Sequence, residues 1–376
     1  MSRARDFADL AGSADAGGIT GRNLVINGAF QIYQRSSSAT AAAGSYETAD
    51  RWINFETTDG AYTTEQSTDH PLGSGYSHKA QVTTADTSIG ATQFAYIIQK
   101  IEAQNLQHLL YGTSSAKSLT LSFYVKSNKT GTYGVNLYKT DSTGYLFVKE
   151  YTINSANTWE KKTITISPTA GSTSFITSSA GAIANDNGSG LEVGFNLAWG
   201  SNFTGGTSDS WSVASNGHYA TTNQVNWLDS TSNNFYLAEV QLEVGSATPF
   251  EHRSDELNRC LRYYETSFVG GVSTTNTNNA GLAAADGKAG DTTTSFSGHT
   301  PVSYTVSKRA VPTVTFYDLA SPRNTGKCHR FQLGAQAHDN SAVTIADSGL
   351  KGFNAYSGTG GACSGIAFHY EANAEL

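Results

Sequence analysis

Apolar and polar residues alternate with a period of two through most of this chain, in runs too short for helices. In residues 119–125, Leu119, Leu121, Phe123 and Val125 share one face while Thr120, Ser122 and Tyr124 share the other, as in a strand with one side buried. Residues 191–198 alternate most clearly, and 132–138, 145–153 and 159–166 follow the same pattern. Gly, Asn and Ser punctuate the runs, which predicts strands joined by turns in an antiparallel sandwich rather than βαβ units. Within this stretch only residues 97–110 carry a hint of helical spacing. Beyond residue 266, short alternating runs at 302–306, 313–319, 328–333, 342–345 and 365–370 predict a second, smaller β domain, with 276–290 and 356–361 as long loops. The expected fold class is all-β.

Two segments break the period. Ser2 can cap a short helix on which Ala4, Phe7, Leu10 and Ala11 form one face, with Arg3 and Arg5 beside it. About ten residues do not hold a helix alone in water, and the Ala-Gly-Ser-Ala-Asp-Ala-Gly-Gly that follows is linker chemistry. Residues 1–22 are thus either a frayed terminus or a docking peptide that orders on a partner through Phe7, Leu10, Arg3 and Arg5. Residues 254–266 predict a second helix, with Ser254 as its cap and Asp255 and Glu256 in the first turn, where the dipole favours them. Leu257, Cys260, Leu261 and Tyr264 then form one apolar stripe, against the chain's own sandwich or against symmetry mates. The domains this predicts are residues 23–253 and 267–376.

Composition narrows the function. Charged residues make up 15% of the chain, against about 25% in an average soluble domain. The formal net charge of −7 opposes nucleic-acid binding, which needs clustered Lys and Arg. Met1–Leu10 lacks the apolar core of a Sec signal peptide. No run approaches the ~18 apolar residues of a membrane span, so no membrane insertion is expected. Cys260, Cys328 and Cys363 lack metal-ligand spacing; buried thiols are expected, with a Cys328–Cys363 bridge as the alternative.

Catalytic motifs fail on context. Residues 361–365 (Gly-Ala-Cys-Ser-Gly) imitate a nucleophile elbow, which needs a strand–turn–helix in a parallel sheet; here they predict a hairpin turn. Asp347-Ser348-Gly349 stands alone where two carboxylates must share a site. Aligning residues 185–188 (Asn-Asp-Asn-Gly) with a calcium loop puts Ile183 and Gly194 at the terminal ligand positions, so a hairpin is expected there too. The nine histidines are scattered, and a non-enzymatic protein is expected. Recognition chemistry remains. Trp199, Trp211, Tyr219 and Trp227 fall within residues 199–227, interleaved with Asn202, Asp209, Asn216, Asn223 and Asn226 and followed by Asp229. Flat aromatic faces with amides and carboxylates along their edges suit sugars. The candidate sugar-binding set is Trp211, Tyr219, Trp227, Trp199, Asp209 and Asn223, on loops at one end of the sandwich. Trp211 is expected to be the best exposed, Trp199 and Trp227 either ligand platforms or core plugs, and Trp52 and Trp159 core.

Residues 23–30 (Asn-Leu-Val-Ile-Asn-Gly-Ala-Phe) and 236–253 (Tyr-Leu-Ala-Glu-Val-Gln-Leu-Glu-Val-Gly-Ser-Ala-Thr-Pro-Phe-Glu-His-Arg) lie more than two hundred residues apart. They resemble the first and last strands of a carbohydrate-binding-module jelly roll, in the form used by bacteriophage virion appendages such as tail and head fibres. Ala49-Asp50-Arg51-Trp52, residues 119–126, Asn157-Thr158-Trp159, residues 191–197 and Leu261-Arg262-Tyr263-Tyr264 fall in the matching order. The resemblance implies a jelly-roll β-sandwich over 23–253, a connecting helix and a second smaller β-sandwich as the tip. It also implies an N-terminus docked on other virion proteins, a host-surface glycan as ligand, a homotrimer, and residence in the virion after assembly in the host cytoplasm. No cofactor is implied beyond a structural calcium, whose last-strand aspartate is replaced here by Ala238, followed by Glu239. A hard cation needs several oxygen ligands, so this replacement counts against the calcium. A purely structural fibre or adaptor and a polysaccharide-degrading tailspike stay open as alternatives, as does a secreted binding module, which the lack of a signal peptide disfavours.

Overall fold

In the computed structural model of this chain the described residues are 21–41, 44–215, 217–269, 279–286, 299–331, 338–357 and 365–376. They form two compact units. One holds residues 37–254, the segment up to residue 31, and Leu376; the other holds residues 255–375 with 32–36. The proposed docking residues Arg3, Arg5, Phe7 and Leu10 lie outside the described residues, as does Cys363.

Twelve strands build the first unit: β1 (Ser38–Thr40), β2 (Trp52–Glu56), β3 (Ala61–Ser67), β4 (Ser77–Thr84), β5 (Phe94–Glu102), β6 (Leu119–Ser127), β7 (Gly131–Lys139), β8 (Tyr145–Ile153), β9 (Glu160–Ile166), β10 (Ser189–Trp199), β11 (Ser210–Val213) and β12 (Asn234–Val244). They make two six-stranded antiparallel sheets, ordered β1-β3-β4-β12-β6-β9 and β11-β8-β7-β10-β5-β2. This is an antiparallel jelly-roll sandwich, and the two-residue period placed its core. Leu119, Leu121, Phe123 and Val125 are all buried, and Phe123 of the first sheet packs edge-on against Phe195 of the second at 5.0 Å. Trp52 lies behind Phe195 at 6.1 Å, while Tyr62 and Trp227 meet edge-to-face at 5.6 Å. Residues 97–110 divide between the end of β5 and a 3-10 helix, Ala103–Leu109.

The opening segment departs from expectation, because residues 23–30 form no strand. Asn27 and Phe30 take left-handed φ values of 56° and 52°, which break an extended ladder. The segment is nevertheless stapled to β12. Leu24 N donates to Leu242 O and Val240 N to Gly28 O, both at 2.9 Å. The Asn23 side chain bridges three backbone groups: its Oδ1 accepts from Val25 N and Leu242 N, and its Nδ2 donates to Val240 O.

The second unit contains α1 (Glu256–Leu261), β13 (Tyr264–Thr266), β14 (Ala283–Asp286), β15 (His299–Ser303), β16 (Thr313–Tyr317), β17 (Lys327–Phe331), β18 (His338–Ala342), β19 (Thr344–Ser348), β20 (Gly352–Tyr356) and β21 (Gly365–Asn373). The long β21 is the hub, pairing with β13, β14, β16 and β17, and a separate three-stranded sheet runs β15-β20-β19. Phe316, Phe353, Ile366, Phe368 and Tyr370 form the core. Lys308 is fully buried, and its Nζ donates to Glu265 Oε2 and Leu261 O, both at 2.5 Å. The predicted helix is shorter than expected. It ends at Leu261, and Tyr264 leaves it to start β13, so the stripe splits: Cys260, Leu261 and Tyr264 are buried while Leu257 is exposed. A strand, β14, also occupies part of the expected 276–290 loop; residues 276–278, 287–290 and 361–364 lie outside the described residues.

Candidate functional site

The outer face of the second sheet is built by the polar positions of its alternating strands. The register pairs Glu192 with both Lys100 and Tyr138, Asn196 with Tyr96, and Gly194 with Asn136, so all of these project to one side. Phe55 joins them opposite Tyr96. Two glycines open the middle of this face. A side chain at Gly194 would meet Asn136 Oδ1 at 2.5 Å and one at Gly134 would meet Asn196 Nδ2 at 2.8 Å, so two asparagine amides occupy that space. Asn136 Nδ2 donates to Asn196 Oδ1 at 2.7 Å, and Asn196 Nδ2 donates to Tyr219 O at 3.0 Å. The second bond ties the segment at Tyr219 to the sheet.

A bulge decides the position of Trp199. Strict alternation after Leu191, Val193, Phe195 and Leu197 would turn Trp199 into the core. The register shifts between Asn196 and Ala198, however, and Trp199 pairs with Phe94 on the same face as Tyr96. There it stacks on Tyr219 at 5.1 Å and 16° and lies 4.9 Å from Tyr96 and 5.1 Å from Phe94. Neighbouring rings leave Trp199 only 8% exposed, and its indole N–H has no hydrogen-bond partner among the described residues. Phe55 stacks on Tyr96 at 5.3 Å, extending the platform.

Glu192 lies beside this platform. Its carboxylate makes no hydrogen bond among the described residues and has Lys100 Nζ at 3.8 Å. Burial raises it above the usual carboxylate range against the pull of Lys100. Tyr96, Tyr138 and Tyr219 surround it, and burial first, then neighbouring groups including Glu192, push their phenols up, Tyr219 to about 12. The face thus offers three phenolic O–H groups, the Glu192 carboxyl group and a stack of aromatic rings.

Of the residues expected to bind sugar, Trp199 and Tyr219 come together here. Asn223 and Asp209 sit at the β8 edge of the same sheet: Asn223 Nδ2 donates to Glu150 Oε1 at 3.0 Å, and Asp209 pairs with Lys149 at 3.0 Å. Trp211 does not belong to the face. The expected loop forms β11, which places Trp211 beside Phe147 on the inner side, 1% exposed, with Nε1 donating to Ser167 O at 2.8 Å. Trp227 is also core, fully buried with Nε1 donating to Asn234 O at 3.1 Å. Trp159 departs the other way. Expected in the core, it is half-exposed, its Nε1 donating to Asp69 Oδ1 at 2.9 Å and its ring 5.1 Å from Lys126 Nζ, because it stands just ahead of edge strand β9. Tyr96, Tyr138 and Glu192 were missed, although Glu192 stands on the polar side of the best alternating run.

Among the described residues no group of three His, Cys, Asp or Glu could hold a metal. Where the resemblance set a calcium aspartate, Ala238 is buried and the Asn23 amide bridges the adjoining backbone.

No family model matches the chain, and no curated protein matches it. Solved structures similar to it include a protein assigned as sugar-binding from Bacteroides thetaiotaomicron, 13% identical with a TM-score of 0.35, the match covering 60% of this chain and 100% of that one. A family 11 carbohydrate-binding module of Clostridium thermocellum is 13% identical, with a TM-score of 0.29, over 57% of this chain and 100% of the module. The enzymatically active domain of tailspike protein 4 of bacteriophage CBA120 is 14% identical, with a TM-score of 0.29, over 59% of this chain and 21% of that one. At such identities and scores the likeness carries no activity over to this chain.

Proposed function

We propose that the first unit is a non-catalytic glycan-binding module. Its binding surface is the outer face around Glu192, Tyr96, Tyr138 and Tyr219, backed by the Trp199 platform. The carrying observation is Glu192, a carboxylate without a hydrogen bond among the described residues inside a ring of phenols and beside a stacked indole–phenol pair. Two carboxylate oxygens accept from neighbouring sugar hydroxyls, phenols donate to ring and glycosidic oxygens, and flat rings cover C–H faces. In the whole chain this surface serves a phage virion appendage, a tail fibre or similar, that attaches the particle to a host-surface polysaccharide. Support for that part comes from the resemblance of residues 23–30 and 236–253 to fibre jelly rolls. A homotrimer anchored through its N-terminus to other virion proteins would turn weak single-site binding into avidity.

Screening the full chain against host envelope polysaccharides tests the reading. Wild type binds, whereas Glu192→Gln and Tyr219→Ala each lose about tenfold or more, worth ~1.4 kcal/mol, with unchanged circular dichroism. Absence of binding to every polysaccharide would favour a purely structural fibre, and release of reducing ends would favour a depolymerising tailspike.

A further inference from the structure

A second site lies in the first unit, apart from the aromatic face. A cavity of about 120 Å³ sits between the β3–β4 connection and the bulge of β12, with Glu239, His70 and His252 inside and Leu72 and Tyr76 on its rim. Glu239 falls within the register shift between Ala238 and Gln241 and takes a left-handed φ of 48°. It is 7% exposed, and its Oε1 has no hydrogen-bond partner among the described residues. His70 does not supply one. Leu72 N donates to His70 Nδ1 at 3.2 Å, which leaves the ring proton on Nε2, 3.9 Å from Glu239 Oε1, beyond hydrogen-bond reach. Burial also holds His70 below the usual imidazole range, so it is uncharged at neutral pH.

A buried carboxylate with an unused acceptor is costly unless a cation meets it, and among the described residues no Lys or Arg lines the cavity, whose basic side chains are the imidazoles of His70 and His252. The rim is open, with Leu72 60% and Tyr76 39% exposed beside Gln31 and Ser74. Room for about four waters, at ~30 Å³ each in the liquid, suits a small head group with its last methylenes. We infer that this cavity is a socket for a primary alkylammonium group of the lysine side-chain type, Glu239 accepting from the ammonium while Leu72 and Tyr76 cover the methylene stem. This inference does not depend on the glycan reading.

The test is saturation-transfer NMR on the full chain with Nα-acetyl-lysine-N-methylamide as probe. Transfer to its δ and ε methylenes is expected, displaced by n-butylammonium and absent for the norleucine analogue. Glu239→Gln should remove at least nine-tenths of the signal. Leu72→Ser, at an exposed position, should reduce it several-fold and keeps the test decisive if Glu239→Gln does not fold. Equal transfer to norleucine, an unchanged signal in folded Glu239→Gln, or stronger displacement by glucosamine or calcium chloride than by n-butylammonium would each overturn the assignment.

Discussion

At the residue scale, aromatic side chains of one composition divide into two jobs according to the partner of their polar atom. The Trp211 and Trp227 indoles each donate to a buried backbone carbonyl and fill the core. Trp211→Ala should therefore cost about 3–5 kcal/mol in denaturant titration, whereas Tyr219→Ala should cost glycan affinity with little change in the unfolding midpoint. A midpoint unchanged in Trp211→Ala would contradict its core role. His78 gives a separate test. It is fully buried, stacked on Phe30 at 5.3 Å, and burial pushes its pKa down to about 3. The unfolded chain binds a proton below about 6.5 while the folded chain refuses it until about 3. Stability contributed by neutral His78 is thus fully present above about 6.5 and falls with pH across that window, by up to ~1.4 kcal/mol per pH unit. Unfolding free energies of His78→Gln measured from pH 7 to 4 should decline less steeply than wild type; parallel curves would remove His78 from the account.

At the element scale, non-strand backbone does work that alternation does not announce. Residues 23–30 are held to β12 by two backbone hydrogen bonds and by one asparagine amide that serves Leu242 N and Val240 O of β12 along with Val25 N. Asn23→Ala should cost about 2 kcal/mol or more, since unsatisfied buried groups cost ~1–3 kcal/mol each. Hydrogen exchange at Leu242 N–H should quicken with it. Glycine 28 is required by close approach: a Cβ there would lie 2.1 Å from Val240 O, so Gly28→Ala should destabilise the same junction. In the second unit the buried Lys308–Glu265 pair ties α1 and β13 to the 305–308 loop. Removing one member of such a pair costs about 3–5 kcal/mol. Glu265→Gln should speed exchange of the β21 amides, and protection equal to wild type would show the pair to be dispensable.

At the scale of the whole molecule, the proposed trimer loses one motive: most of the 254–266 stripe is spent inside the second unit, leaving Leu257 exposed. Light scattering at micromolar concentration should still find three copies if the fibre reading holds, and a monomer would remove it. The all-β class, the positions of most strands and the inner faces of β6 and β10 were legible in the residue pattern, because a half-buried strand must alternate and that period is local. The pattern also showed that Trp199 and Tyr219 belong to a polar, aromatic region. Tertiary structure alone decided which side each aromatic faces. A one-residue bulge turned Trp199 outward, an edge strand formed where a loop was expected and took Trp211 inward, and pairing of β10 with β5 and β7 set Glu192 among three tyrosines. Bulges and strand partners depend on residues far away along the chain, as Phe94 is from Trp199, and one step of register exchanges the two faces of a strand.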